Sequence, residues 1–326
     1  MKLLELIPKD ALTFGSLKNF TAGEAHYQQA IFPPPIMRFF SLGKDQGIKP
    51  LKVMGVFIKH QEELFLPMPA DCLKKRKQKV EKIYVPKWDE KLKRPFIEVF
   101  EGEELLNLEQ AGGFCDYSNF VENYSAGKGF EIKQKDQFSQ DLLHEEERVG
   151  IKLNYDKRIA EDKYFYSRIY LRFKDSHIVL LVEEDIKDKF FTTVGGERRF
   201  VEVKPIEGKF IDFFNSSVNI EKGKLYKFYS TTHLYADLNS EVKVNGQIKF
   251  KIKWVSSLEP EWVSGFKKPF LYMLRPGTVL WFEALDNGIC KRLCQISSGN
   301  EIIRYNGETK DLLKRGWNSG ILLNAQ

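Results

Sequence analysis

Residues 164–182 read YFYSRIYLRFKDSHIVLLV. Tyr164–Phe173 and His177–Val182 are runs of aromatic, aliphatic and β-branched residues, the types that suit a pleated, half-buried surface. The polar stretch Lys174-Asp175-Ser176 separates them, so the segment predicts two antiparallel strands joined by a turn. In the first run, Lys163-Tyr164-Phe165-Tyr166-Ser167-Arg168-Ile169-Tyr170, rings alternate with cations. Successive strand residues face opposite sides, so one face packs a core while the other offers Arg168 and Arg172, as a sheet that stacks nucleic-acid bases would.

Strand chemistry continues on both sides of this segment. Leu3–Phe14 is an apolar run broken by Pro8, and Val53–Ile58 with Leu64–Leu66 flanks the turn His60-Gln61-Glu62-Glu63. Downstream, Arg199-Phe200-Val201-Glu202-Val203 alternates as a strand, and further strands are expected at Lys224–Ser230, Ile248–Val255, Phe270–Leu274 and Thr278–Phe282. Short helices are expected at Ile36–Phe40, behind Pro33-Pro34-Pro35, at Asp185–Phe191 and at Thr309–Lys314. Strands with few helices and no regular βαβ alternation predict an α+β protein with antiparallel sheets. Between Asp71 and about Glu147 the pattern changes to a basic run, an acidic stretch and glycines, which reads as a long, partly mobile inserted arm. A second half begins near Gly208.

The chain has 326 residues, 42% of them hydrophobic and 13% aromatic, enough for a large core and incompatible with disorder. Its opening residues are too short and too charged for a signal peptide, and no run reaches the length of a membrane span. Four cysteines are too few for a disulfide scaffold, so a soluble, reduced, cytosolic protein is expected. The net charge is +6, and the window Asp71–Arg94 alone holds ten basic residues against four acids. So concentrated a charge suits a polyanion, with Lys74, Lys75, Arg76 and Lys77 as its candidate contacts; a solvated surface insertion is the alternative.

Catalytic patterns are missing. The five histidines are scattered, Cys290-x-x-x-Cys294 lacks a second pair at zinc spacing, and no phosphate loop, nucleophile elbow or dinucleotide fingerprint occurs. No metal or other cofactor is expected. His26, beside Tyr27 and flanked by Lys18 and Arg38, could serve as acid or base on a ribose hydroxyl, or could simply pack a loop. A sharper feature is Val194-Gly195-Gly196-Glu197-Arg198-Arg199-Phe200. Paired glycines admit a close ligand, consecutive amides can ring a phosphate, and two guanidiniums add planar forks. A Gly-Gly turn with surface arginines and a Glu197 salt bridge is the plainer reading.

Taken in order, these segments resemble the Cmr-three subunit of type III-B CRISPR effector complexes, in the Cas-five group of the RAMP superfamily. Phe14-Gly15-Ser16-Leu17-Lys18-Asn19-Phe20-Thr21-Ala22-Gly23-Glu24 is similar to the family's first signature, though Gly15-Ser16-Leu17 stands where Arg-Asp-Gly is usual. Phe32-Pro33-Pro34-Pro35 through Arg38 resembles its proline-led helix. Leu66-Pro67-Met68-Pro69-Ala70-Asp71, Arg148-Val149-Gly150-Ile151 and Gly195-Gly196-Glu197-Arg198-Arg199 match three internal motifs. Trp262-Val263-Ser264-Gly265-Phe266 and Pro276-Gly277-Thr278-Val279 match two late ones.

The resemblance implies two ferredoxin-like (RRM-like) domains, residues 1–207 with the insertion at about 71–147, and residues 208–326. It implies a non-catalytic antiviral scaffold that binds the 5′ tag of crRNA beside the large Cas-ten palm-domain subunit and the first backbone RAMP subunit, with no membrane partner. Gly195, Gly196, Glu197, Arg198 and Arg199 would hold the tag, helped by Lys18, Arg38, Arg148, Arg168 and the basic arm. Two other readings stay open: a metal-independent RAMP endoribonuclease using His26 on precursor crRNA, and a protein–protein adaptor whose lysines serve solubility.

Overall fold

Leu3, Leu4 and Leu6, Val53 and Val56–Ile58, and Ile178–Val182 are all buried, as strands covered on both faces must be. The computed structural model describes residues 1–14, 26–28, 32–75, 81–97, 107–132, 142–154, 159–195, 198–208, 210–235, 241–263, 271–305 and 308–325. In chain order, the first half contains β1 (Lys2–Pro8), β2 (Val53–His60), β3 (Glu63–Pro67), β4 (Phe114–Asp116), β5 (His144–Asn154), β6 (Ile159–Arg172), β7 (Ser176–Val182), β8 (Phe190–Val194) and β9 (Arg199–Ile206). Seven of these form one sheet, ordered β4-β3-β2-β7-β1-β9-β8, with every neighbouring pair antiparallel.

The sheet has two apolar faces. Leu4, Leu6, Val56, Ile178, Leu180, Val201 and Val203 pack with Phe14, Phe39 and Trp317 on one side. Leu3, Phe57, Leu64, Leu66, Val179 and Leu181 pack with Phe214, Tyr229 and Trp281 on the other. Each such side chain contributes roughly 1.5–3 kcal/mol by leaving water. β5 and β6 form a separate long hairpin, paired from His144↔Arg172 to Asn154↔Ile159. It is tied to the end of β1 through Leu12, which exchanges backbone hydrogen bonds with Leu171 at 2.9 and 2.7 Å.

The insertion is built rather than projecting. Leu73–Lys75, Glu81–Tyr84, Leu108–Gln110 and Phe130–Ile132 make a four-stranded sheet. Helix α1 (Tyr117–Glu122) is capped by Asp116, whose carboxylate accepts from the Asn119 N–H at 2.8 Å. Cys72, Ile83, Val85, Ala111, Phe120 and Phe130 join the main core, which the basic run conceals in the sequence. Three expected helices differ as well. Residues 36–38 are a 3-10 turn, because left-handed Gly43 and Gly47 follow closely on the prolines. Phe190 and Phe191 start edge strand β8, and Glu308–Asp311 is a strand paired with Ile302–Tyr305.

The second half opens with α2 (Phe210–Asn215) and continues through β10 (Leu225–Ser230), β11 (Glu241–Val244), β12 (Ile248–Ser256), β13 (Val279–Ala284), β14 (Leu293–Ser297) and β15 (Ser319–Asn324). These six strands close into a barrel, β10-β13-β12-β11-β14-β15, with β15 pairing back onto β10. The resemblance implies a second ferredoxin-like domain here, and the observed sheet is closed instead. Closure is the alternative solution for a sheet with few helices to cover it, since a barrel leaves no unpaired edge. Phe228, Phe250, Phe282 and Leu322 fill the barrel, while Tyr229, Trp281, Ile321 and Leu323 pack outward into the core shared with the first half.

A buried ion pair crosses that junction. The Lys227 ammonium lies 3.2 Å from Asp71 Oδ2, with side chains 4% and 1% exposed. Pro86 O accepts from Lys227 at 3.1 Å, Tyr124 Oη donates to Asp71 Oδ1 at 3.0 Å, and the Trp281 ring lies 4.3 Å beneath the ammonium.

Candidate nucleic-acid interface

Strand alternation and the β5–β6 register place Glu146, Arg148, Arg168, Tyr170 and Arg172 on one face of the hairpin. Asp10, just beyond β1, lies against that face, and Arg199 reaches it from the start of β9. Asp10 Oδ1 is 3.3 Å from Arg148 Nη2 and 3.7 Å from Arg172 Nη2, and Oδ2 is 3.0 Å from Arg199 Nη1. Glu146 bridges two of the same arginines, at 2.7 Å to Arg148 Nε and 2.6 Å to Arg172 Nη2. The Tyr170 ring supports the guanidiniums of Arg148 at 4.5 Å and Arg199 at 5.9 Å.

Among the described residues, three permanent cations therefore share two carboxylates. The Ala11 N–H, then Arg148, hold the Asp10 carboxyl below the usual carboxylate range. Arg148 and Arg172 do the same for Glu146. The side chains of Arg148, Arg172 and Arg199 keep 31%, 47% and 31% of their surface exposed. Guanidiniums already oriented by carboxylates and a ring, yet still open to solvent, are prepared for planar recognition of phosphate.

The turn before β9 adds to this face. Gly195 has φ +82°, and a Cβ there would sit 2.9 Å from Thr13 O, so only glycine lets the turn seat on the backbone leading out of β1. Arg198 follows in the left-handed region at φ 51° and is exposed. The structure thus brings Arg148, Arg168, Arg199, Gly195 and Arg198 into one neighbourhood. Arg38 ends the 3-10 turn Ile36–Arg38 and is partly buried, which lowers its pKa. Lys74 and Lys75 belong to the insertion's sheet, Lys74 lying 3.8 Å from Glu109. Lys18, Arg76, Lys77, Gly196 and Glu197 lie outside the described residues.

Sequence reasoning missed Asp10, which reads there as an ordinary turn residue after Pro8-Lys9. It also missed Glu5, a buried carboxylate on β1 held by His177 Nδ1 at 2.8 Å, Lys204 at 3.0 Å and Lys59 at 3.7 Å. Burial opposes its ionisation, but those partners prevail and lower its pKa from 4.5 to about 2. His26 stands on the short strand His26–Gln28, parallel to β6 and opposite Tyr166. A cavity of about 890 Å³ is lined by Met37, Phe40, Leu271, Ile303, Arg315 and Trp317 among others, with no histidine or cysteine among the described residues of its wall. Among the described residues no group of three metal-ligating side chains occurs, and no helix is long and apolar enough to cross a membrane. All four cysteines are free and buried.

Residues 40–291 match the family model described as CRISPR-associated protein (Cas_Cmr3). The chain belongs to the Cmr3 family. Chains in two cryo-EM structures of the Type III-B Cmr-beta resemble it. One structure is bound to cognate target RNA and AMPPnP, state 1; its chain is 17% identical, with a TM-score of 0.46 over 86% of each chain. The other is bound to cognate target RNA; its chain is 15% identical, with a TM-score of 0.45 over 86% of each chain. No curated protein sequence matches.

Two of the motifs noted in this Cmr3-family chain meet at the junction between its halves. The Ala70 N–H, in Leu66–Asp71, donates to Gly277 O at 2.8 Å, and the Gly277 N–H donates to Ser230 O at 2.8 Å. Asp71 closes the same segment and is the carboxylate paired with Lys227. These motifs join the halves, whereas Arg148 and Arg199, from two other motifs, belong to the arginine face.

Proposed function

We propose that this chain is a non-catalytic RNA-binding subunit of a type III-B CRISPR effector complex, recognising the 5′ tag of crRNA in antiviral defence. The observation that carries this reading is the convergence of Arg148, Arg172 and Arg199, from three strands, on Asp10 beside the Gly195–Arg198 turn. Family membership supplies the context, and the large Cas-ten subunit and a backbone RAMP subunit are the partners it would bridge. The order β2-β7-β1-β9 within the main sheet supports a ferredoxin-like first domain ending near residue 207, the barrel from 208 being the second. The cluster's chemistry favours binding: its guanidiniums suit phosphate oxygens, and its carboxylates hold those guanidiniums in place.

The test is reconstitution. Arg198→Ala/Arg199→Ala is expected to lower recovery of crRNA-loaded complex about tenfold or more, since each lost charge-assisted contact costs roughly 1.5–3 kcal/mol. RNA cleavage by partner subunits, per assembled complex, stays unchanged. Assembly at the parental level would remove this turn from the tag site.

A further inference from the structure

Two lysine-rich stretches far apart in the chain meet on the outside of the barrel. The insertion's hairpin, Lys87–Asp89 with Arg94–Phe96, lies against β12, and its Trp88 packs on Trp281 at 5.6 Å between ring centroids. Along β12, Ile248 and Phe250 fill the barrel while Lys249 and Lys251 are exposed between and beyond them. The ladder with β11 sets Lys243 directly opposite Lys249, and Glu241 opposite Lys251. A bulge after Ile252 then turns out Trp254, 44% exposed. Lys253 bonds Glu283 at 2.8 Å, and that carboxyl is held low first by Lys253, with Lys251 and the hairpin's Lys93 adding to the field.

Lys243 and Lys249 repel. Like charges directly opposite destabilise a strand pair, and among the described residues Lys243, Lys249 and Lys251 form no salt bridge. Alternate residues of a strand stand roughly 7 Å apart, so Lys249 and Lys251 space two ammoniums along the outer face of β12 beside Lys243 of β11, with Glu241 and Glu283 flanking Lys251 and an exposed indole beyond the bulge. A polyanion with flat bases matches both features, the spaced ammoniums of Lys243, Lys249 and Lys251 and the exposed ring of Trp254.

We propose that this strip is a second polynucleotide contact, in which single-stranded RNA lies with phosphates against Lys243, Lys249 and Lys251 and a base on Trp254. It uses none of the arginine-cluster residues, so it stands whether or not those recognise a tag. The test uses the full chain and a labelled oligouridylate carrying no tag, titrated across a potassium chloride series. Lys243→Gln/Lys249→Gln/Lys251→Gln is expected to weaken binding about tenfold at low salt. It should also flatten the slope of log affinity against log salt by about two, at roughly 0.7 per lost phosphate contact. Trp254→Ala is expected to cost about tenfold with the slope unchanged, as loss of base stacking does. The triple variant melts no lower than the parent, because a repulsion has been removed. Neutralising three exposed lysines elsewhere, Lys174, Lys187 and Lys189, should leave binding intact. Parental affinity and slope in the strip variant would overturn the proposal, as would an equal loss in the control.

Discussion

Asp10 carries more of the candidate site than any residue sequence reasoning selected. It accepts from the Ala11 N–H at 2.7 Å and faces three guanidiniums that arrive 138, 162 and 189 positions downstream in Arg148, Arg172 and Arg199. Nothing local to Pro8-Lys9-Asp10 signals that role, because the partners are assembled only by the fold. The arginines were legible as types in suggestive places; their shared counter-ion was not. A carboxylate in that position competes with phosphate. Asp10→Asn is therefore expected to raise low-salt RNA affinity about threefold and steepen its salt dependence, measured by anisotropy titration. Glu5 makes a separate prediction about acid. Its folded pKa of about 2 lies below the ordinary 4.5, so the unfolded chain binds its proton first. The resulting stability is complete above 4.5 and fades as pH falls toward 2. Urea unfolding of the parent should weaken across that window, and Glu5→Gln, less stable at pH 7 by roughly 2–3 kcal/mol, should weaken less.

At the scale of elements, strands with strong apolar patterns were readable: β1, β2, β7 and β10 fall where runs such as Leu3–Leu6 and His177–Val182 placed them. Barrel closure was not readable, because it depends on Ser319–Asn324 pairing with Leu225–Ser230 across most of the second half. A sequence pattern reports which face of a strand is apolar, not which distant strand will cover its edge. The insertion misled for a related reason: its lysines dominate composition, while Ile83, Val85, Phe120 and Phe130 do the packing. The turn before β9 offers a sharper test of element geometry. Gly47 and Gly195 have similar positive φ, +76° and +82°, but a Cβ at Gly47 meets nothing within 4 Å while one at Gly195 meets Thr13 O at 2.9 Å. Gly47→Ala should cost about 1 kcal/mol from backbone conformation alone. Gly195→Ala should cost roughly 2 kcal/mol or more and weaken RNA binding as well, since the turn carrying Arg198 must shift. Thermal melts of the two variants side by side separate the contributions.

Across the whole molecule, the sheet of the first half and the barrel of the second share one core, from Leu3 and Phe57 to Trp281 and Ile321. The Asp71–Lys227 pair lies inside their junction. The halves should therefore unfold together, in one denaturant transition seen equally by tryptophan fluorescence and far-UV circular dichroism. Lys227→Met would leave Asp71 buried without its cation and is expected to cost roughly 3–5 kcal/mol, with Asp71→Asn restoring part of the loss. Such a joined body holds the arginine face and the barrel strip in fixed positions relative to each other. The role proposed for this body is recognition of the 5′ tag of crRNA rather than of any polyanion. It is tested most directly by the affinity of the purified chain for crRNA with and without its tag, at low and at high salt. A preference for tagged RNA that persists at high salt, and disappears in Arg198→Ala/Arg199→Ala, is the predicted result. Equal affinity for both RNAs, falling equally steeply with salt, would contradict it.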